Sequence, residues 1–281
     1  FITVAPHTQL SAIQRAIIEN NQRFLPVVKG RTLVGAITRT DLLRVLHVDV
    51  SPDSLEIEPS AHPSRKRIIN ASLRERLTKP LVALLKDIGR VADDLGYNVY
   101  AVGGFVRDVF LRFENYDIDI VVEGDGIKFA RAFAAARNGK LKEHKRFGTA
   151  VLQLPEGLKI DVASARLEYY EHPAAQPQVE WSSIKLDLYR RDFTINTLAI
   201  QLNQSSWGSL IDFFGAIRDI KEKFIRILHN LSFVEDPTRI FRALRFEQRF
   251  SFRLSKLTRS LIENAIKMDF LKNLSGKRID T

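Results

Sequence analysis

The apolar positions change period several times along the chain, and each change marks an element. Leu10, Ile13, Ile17 and Ile18 recur at helical spacing within residues 8–20. Two apolar runs follow, Phe24-Leu25-Pro26-Val27-Val28 and Leu33-Val34-Gly35-Ala36-Ile37, which predict strands around a Lys29-Gly30-Arg31 turn. With a strand-like start at residues 1–4 and a second helical pattern at 38–46, the first ~50 residues make a β-α-β-β-α unit. Residues 50–63 hold three prolines, several acids and no periodicity, and predict a linker. From Pro80, Leu81, Leu84, Leu85, Ile88, Val91 and Ala92 share one face of a helix running to 95. Strand 97–102, a glycine turn, helix 105–113 and strand 117–122 come next, then a helix over 129–136. Residues 149–154 and 159–163 predict a hairpin around Pro155-Glu156-Gly157. Residues 168–184, rich in Pro, Gln and Glu, predict a mobile loop. Residues 193–202 fit a helix or a buried strand, and the pattern from Asp236 onward is helical.

Composition narrows the functions open to this fold. The 281 residues are 45% hydrophobic, enough for a real core, and carry a formal net charge of +10. That balance favours a polyanionic partner, most simply nucleic acid. The charge is clustered. Arg65, Lys66, Arg67, Arg74, Arg76 and Lys79 stand against Glu75 alone, and residues 235–281 hold eleven Lys/Arg against six Asp/Glu. No cysteine is present, which excludes disulfides and thiolate metal sites and fits a reducing cytoplasm. No apolar run approaches the ~18 residues of a membrane span. The chain opens at Phe1 rather than Met and stops at Thr281 right after a helical pattern, as a segment of a longer protein would.

The chemistry concentrates after the first glycine turn. Val102-Gly103-Gly104-Phe105-Val106-Arg107-Asp108 predicts strand, turn and helix start, with backbone amides at Gly103 and Gly104 able to cradle phosphates. Asp117-Ile118-Asp119 then places two carboxylates on one side of a strand and Ile118 on the other. Two adjacent like charges need something cationic, and a pair of Mg²⁺ ions is the natural answer, because Mg²⁺ takes oxygen ligands while leaving positions for substrate phosphates. Asp161 lies on a strand able to neighbour this pair, so that three acids would hold two metals for in-line displacement at phosphorus, and it could also take the hydroxyl proton; an ordinary exposed strand residue is the alternative. Arg107 at the helix start can fork onto phosphate oxygens or pair with Asp108. The pattern predicts metal-assisted nucleotidyl transfer. No GxxxxGK[ST] loop occurs, and the six histidines show no ligand spacing.

Two further stretches carry unusual charge. Arg190-Arg191-Asp192-Phe193-Thr194-Ile195-Asn196 runs two arginines into an apolar element, which points to bound phosphate or an ion-pair lattice. Glu235-Asp236-Pro237-Thr238-Arg239 opens a helix, and Asp236 there also fits a plain N-cap. Arg239, Arg242 and Arg245 recur every three residues, a row that repels itself unless anions or bases lie against it. Cytosine and adenine each present an amino donor beside a ring-nitrogen acceptor, which an Asp/Arg pair can match; guanine and uracil present the opposite order.

Residues 1–48 resemble one CBS repeat, on Leu25-Pro26-Val27-Val28, Leu33-Val34-Gly35 and Thr38-Arg39-Thr40-Asp41-Leu42-Leu43. Paired repeats of that kind hold an adenosine nucleotide, with the acid here at Asp41; a single repeat equally fits an architectural role. Residues 78–281 resemble the class II tRNA nucleotidyltransferase and bacterial poly(A) polymerase family. The first motif is Gly103 to Asp108 with Asp117 and Asp119, the second Arg190 to Asn196, the third Asp212-Phe213-Phe214-Gly215 through Asp219. The fourth is Glu235 to Arg239 with Arg242 and Arg245, and Ser275-Gly276-Lys277-Arg278 looks like the start of a fifth.

The resemblance implies an α+β chain: a CBS repeat over 1–50, a linker over 51–77, a polymerase-β-like head with a mixed sheet over 78–220, and a helical neck over 221–281. It implies Asp117 and Asp119 as Mg²⁺ ligands. Gly103, Gly104, Arg107 and Arg191 would hold the incoming ATP or CTP. Asp236 and Arg239 would read its base, with Arg242 and Arg245 in support. The partner would be a tRNA 3′ end, extended by A and/or C in the cytoplasm, and the loop over 166–184 would serve the switch to A addition. The third motif has Ala216 where the family carries a second hinge glycine. Poly(A) polymerase activity, or a nucleotide sensor with an inactive head, are the alternatives.

Overall fold

A computed structural model describes residues 2–10, 12, 13, 16, 24–30, 32–38, 67–169, 178–230, 232–267 and 271, with backbone alone for 38, 167–169 and 178–181. They fall in two compact units, Ser60–Leu167 with Val179–Lys223, and Phe1–Pro59 with Glu168–Gln178 and Phe224–Thr281.

In the N-terminal segment, β1 (Phe24–Lys29) and β2 (Thr32–Thr38) pair antiparallel around Gly30, which sits at φ 63°. Val4 bridges to Val27, and Val4, Ile13 and Leu25 form a small core. The predicted second helix, Asp41 and the 50–63 linker lie outside the described residues.

The head unit runs β3 (Arg67–Ile68), α1 (Asn70–Arg76), α2 (Lys79–Asp94), β4 (Asn98–Val102), α3 (Gly103–Leu111), β5 (Ile118–Glu123), α4 (Gly126–Arg137), β6 (Lys140–His144), β7 (Thr149–Gln153) and β8 (Lys159–Ser164). Two strands that each divide between the units follow, β9 (Arg166–Tyr169) and β10 (Gln178–Trp181), and the head unit closes with α5 (Ile184–Tyr189), β11 (Ala199–Gln201), β12 (Ser209–Ile211) and α6 (Ala216–Glu222). Eight strands form one sheet in the order β3-β12-β11-β4-β5-β8-β7-β6. Only β5 and β8 pair parallel; their neighbours run antiparallel, which makes the sheet mixed.

The core lies where apolar faces meet this sheet. On α2, Leu81, Leu84, Leu85 and Ile88 are buried, as their spacing predicts, and they join Ile118, Ile120, Ile160 and Val162 from β5 and β8. Each such side chain contributes on the order of 2 kcal/mol, an upper figure for an extended reference chain. On α4, Phe129 and Phe133 stack at 6.0 Å, and Asp125 caps the helix by accepting from the amides of Ile127 and Lys128. The predicted hairpin is present as β7 and β8.

Several expectations are corrected. Residues 67–76, expected within the linker, add β3 to the sheet edge beside β12 and a helix to the head; Ile69 and Leu73 enter its core. Their two apolar anchors are too few to show a period among the arginines. The helix expected at 105–113 begins at Gly103, because both glycines belong to its first turn. The strand expected at 117 begins at Ile118. The ends of the predicted mobile loop are strands, β9 and β10, and α5 starts at Ile184; residues 170–177 lie outside the described residues. The apolar 193–202 stretch divides into a single 3₁₀ turn, Thr194–Asn196, and β11.

In the second unit, β13 (Phe224–Ile225) pairs parallel with β14 (Arg253–Leu254) around α7 (Ser232–Glu235), α8 (Thr238–Phe250) and α9 (Lys256–Lys267). The continuous helical pattern expected here breaks at Ser251, whose left-handed φ of 53° ends α8. Phe246 and Phe250 stack at 5.5 Å within its core. The 275–278 motif lies outside the described residues.

Candidate active site

The parallel register of β5 and β8 sets Asp119 directly beside Asp161. Their strand neighbours Ile118, Ile120, Ile160 and Val162 are buried on the opposite face, so alternation turns both acids the other way. Asp117 precedes β5 and is exposed. Its amide is held by Asn115 Oδ1 at 2.8 Å. Burial pushes the Asp119 carboxyl above the usual carboxylate range; Asp161 and Asp117 add to this, and Arg191 and Lys159 oppose it. Acids thus gather at this corner of the head around a largely buried carboxyl.

Gly103 and Arg191 complete it. Gly103 sits at φ 69°, and a Cβ there would lie 2.7 Å from Arg191 Nη1 and 3.3 Å from Asp119 Oδ2. The glycine is therefore required twice, by its backbone angle and by the close approach of a cation and an acid. No side chain caps the N-terminus of α3; its first amide, Gly103 N, which the sequence offered to a phosphate, donates instead to Leu198 O at 3.2 Å, so the anion site falls to the amides after it. Gly104 faces no such crowding: its nearest neighbour would be Arg107 Nη2 at 3.5 Å.

Arg107 is buried. It donates from Nε to Asp108 Oδ1 at 2.8 Å and from Nη1 to Asn196 Oδ1 at 2.6 Å. The ion pair that the sequence offered as the alternative to a phosphate contact is present. Asn196 donates to Asp192 at 2.8 Å, and Asn115 joins the other Asp108 oxygen at 2.7 Å. A polar chain, buried from Asp108 onward, thus runs from the amide of Asp117 through the first motif into the second.

Asp187, one turn ahead of the two arginines, organises the second motif. It is fully buried and accepts from Arg190 at 2.7 Å and Arg191 at 3.2 Å. Burial raises its carboxyl, and the two guanidinium groups more than reverse that, so it is held below the usual range. Arg191 Nε is buried with no hydrogen-bond partner among the described residues. Sequence reasoning missed Asp187, Asn115 and Lys159. The signals were an acid three and four positions before two arginines on a helix, an Asx residue two before Asp117, and a lysine two before Asp161 on one strand face.

In the third motif Gly215 holds the left-handed position at φ 76°, and Asp212 accepts from the amides of Ala216 and Ile217. Ala216 is the first helical residue and fully buried, so the missing second glycine costs no backbone strain. Thr194 Oγ1 donates to buried Asp219 at 2.5 Å, tying the second motif to the third.

In the neck, Asp236 Oδ1 accepts from Thr238 N at 3.1 Å and Oγ1 at 2.6 Å, the capping role weighed above. Arg239 is buried, bonded to Ser232 at 2.8 Å and 3.6 Å from Glu235. Arg242 and Arg245 are exposed, and Arg242 lies over the Phe246 ring. The arginines therefore do not form one row: each third residue falls short of a full turn by 60°, and the set winds from the core to solvent.

The donors at the head site are carboxylate oxygens alone, the set a hard cation such as Mg²⁺ takes. Among the described residues no three His, Cys, Asp or Glu side chains converge on one point. The Asp117/Asp119 pair, completed by phosphate oxygens, is what the chain offers such an ion.

Residues 99–226 match the Poly A polymerase head domain, and residues 1–48 match the CBS domain. An A-adding tRNA nucleotidyltransferase of Geobacter sulfurreducens is 54% identical over 99% of this chain, and one of Aquifex aeolicus is 38% identical over 99%. The chain spans 32% of the length of each of these relatives. The solved Thermotoga maritima CCA-adding enzyme complexed with tRNA superposes with a TM-score of 0.69 at 47% identity, over 76% of this chain and 48% of that one. No helix among the described residues is long and apolar enough to cross a membrane.

Proposed function

Since this chain belongs, by its head domain, to the family of tRNA nucleotidyltransferases and poly(A) polymerases, we propose that it is the catalytic part of an enzyme that adds nucleotides to tRNA 3′ ends without a template. The observation that carries the reading is the register that sets Asp119 beside Asp161, next to the Gly103 turn and Arg191. The two relatives matched over 99% of the chain add A, which favours ATP as the nucleotide and tRNA already ending in CC as the acceptor.

In this reading the α3 amides and Arg191 hold the triphosphate, and Asp117 and Asp119 hold Mg²⁺. When bound, the ion supplies positive charge to the phosphates and acidifies the 3′-hydroxyl. The 3′-oxygen forms a bond to the α-phosphorus as the bond to the β-phosphate oxygen breaks, and pyrophosphate leaves. Asp161 accepts the hydroxyl proton. Arg107 acts through others: its bonds to Asp108 and Asn196 position both motifs rather than touch the reactant. Asp236 and Arg239 select the base, with Glu235 aiming Arg239. Arg242 and Arg245 meet the RNA.

The test is to incubate the full-length protein with tRNA lacking CCA, tRNA ending in CC, or complete tRNA, each with ATP or CTP, and sequence the products. A single A on the CC-ending substrate is expected. Long A tails on unrelated RNA would instead identify a poly(A) polymerase.

A further inference from the structure

The acid cluster contains a cation of its own. Lys159 lies two residues before Asp161 on β8, on the same strand face, and its Nζ is 2.7 Å from Asp161 Oδ2. Across β7 its register partners are Gln153 for Lys159 and Val151 for Asp161, neither charged. Lys159 is thus the cation these strands bring to the acids, while Arg191 comes from the second motif. The side chains of the pair are 49% and 40% exposed. A pair so exposed contributes little to stability, and it is the kind of contact that a better cation displaces.

We propose that Lys159 is a positioning residue that holds Asp161 aside from Asp117 and Asp119 until a divalent cation and the RNA 3′ end arrive, and thereby weakens cation binding to the resting head. The inference rests on the reading that Asp117 and Asp119 bind the cation. Two features of the site agree with it. Asp161 is paired with Lys159, and among the described residues no three acids converge. Asp119 and Asp161 are nonetheless direct register neighbours, so the third carboxylate has only to turn, with no backbone movement. Once released, the ammonium stands beside the place where the attacking strand must lie, and its charge suits an RNA phosphate.

The test uses Mn²⁺ alone, with bound and free ion distinguished by electron paramagnetic resonance in the full-length protein. Replacing the lysine by an uncharged residue, Lys159→Met, is expected to tighten Mn²⁺ binding about tenfold, since the ammonium that holds Asp161 no longer competes with the ion for that carboxylate. Lys159→Arg is expected to return the affinity to within about twofold of the original. In an Asp161→Asn background the Lys159→Met change is expected to have much less effect, because there is no carboxylate left to release. Unchanged Mn²⁺ affinity in Lys159→Met overturns the proposal. So does an equal gain in both backgrounds, which would reduce the effect to bulk charge. Asp117→Ala tests the underlying reading separately: if it binds Mn²⁺ as well as the original protein, both the site and the role of Lys159 fall.

Discussion

Arg107 Nη1 donates to Asn196 Oδ1 at 2.6 Å and ties the first motif to the second across 89 positions of sequence. The bond lies inside the head, and on its other side Arg107 pairs with Asp108. Removing the guanidinium leaves a buried carboxylate without its cation. Arg107→Ala is expected to destabilise the head by about 3–5 kcal/mol in urea unfolding. A loss under about 1 kcal/mol, with a raised KM for ATP, would return Arg107 to a phosphate-binding role.

Asp117 is exposed and supports no core contact, so its removal separates chemistry from folding. Asp117→Ala is expected to lower nucleotide transfer by at least about a hundredfold, with an unchanged circular dichroism spectrum and melting temperature. Retained transfer would remove Asp117 from the site.

At Gly103 the backbone angle and the nearness of Arg191 act together. Gly103→Ala is expected to cost about 1–2 kcal/mol in stability from the left-handed backbone. It should also raise the KM for ATP more than it lowers kcat, because Arg191 has to move. Equal loss in Gly103→Ala and Gly104→Ala would show that crowding at Gly103 is not the determinant.

Asp187 fixes an acid limit. Its folded carboxyl is held below its unfolded value, so its contribution to stability is fully present above the ordinary aspartate pKa of about 4. As pH falls below that value, the contribution is lost through the folded pKa. Unfolding measured from about pH 6 down to pH 3 should show a steeper decline in the original protein than in Asp187→Asn. Parallel curves would place the acid sensitivity elsewhere.

Asp236 caps α8, and any claim that it reads a base has to be separated from that cap. Asparagine caps about as well as aspartate. Asp236→Asn is therefore expected to keep the melting temperature while relaxing the preference for ATP and CTP over GTP and UTP. An unchanged preference would leave Asp236 as a cap alone.

Much of the head was legible in the sequence because its signals are local. The helical face of α2, the alternation in β5 and the turn before β8 each declare themselves within a few residues. The acids at 117, 119 and 161 stood out for the same reason. What escaped was partnership over distance. Nothing near Arg107 names Asn196, and nothing near Asp161 says that β8 joins β5 in parallel, since the intervening hairpin strand could have claimed that place. Helix α1 was hidden because arginines outnumber its apolar anchors. The row of three arginines was over-read: spacing alone did not show that Arg239 turns inward to Ser232 and Glu235.

The parallel pairing of β5 with β8 also governs when during synthesis Asp119 and Asp161 can come together. The two strands are separated in sequence by α4, β6 and β7, so Asp161 reaches Asp119 only after that whole excursion has been made and packed. Such distant pairings form slowly, because chain entropy is lost before the contact is gained. A nascent polypeptide still emerging from the ribosome therefore passes through a stage with a glycine turn and two acids but no third.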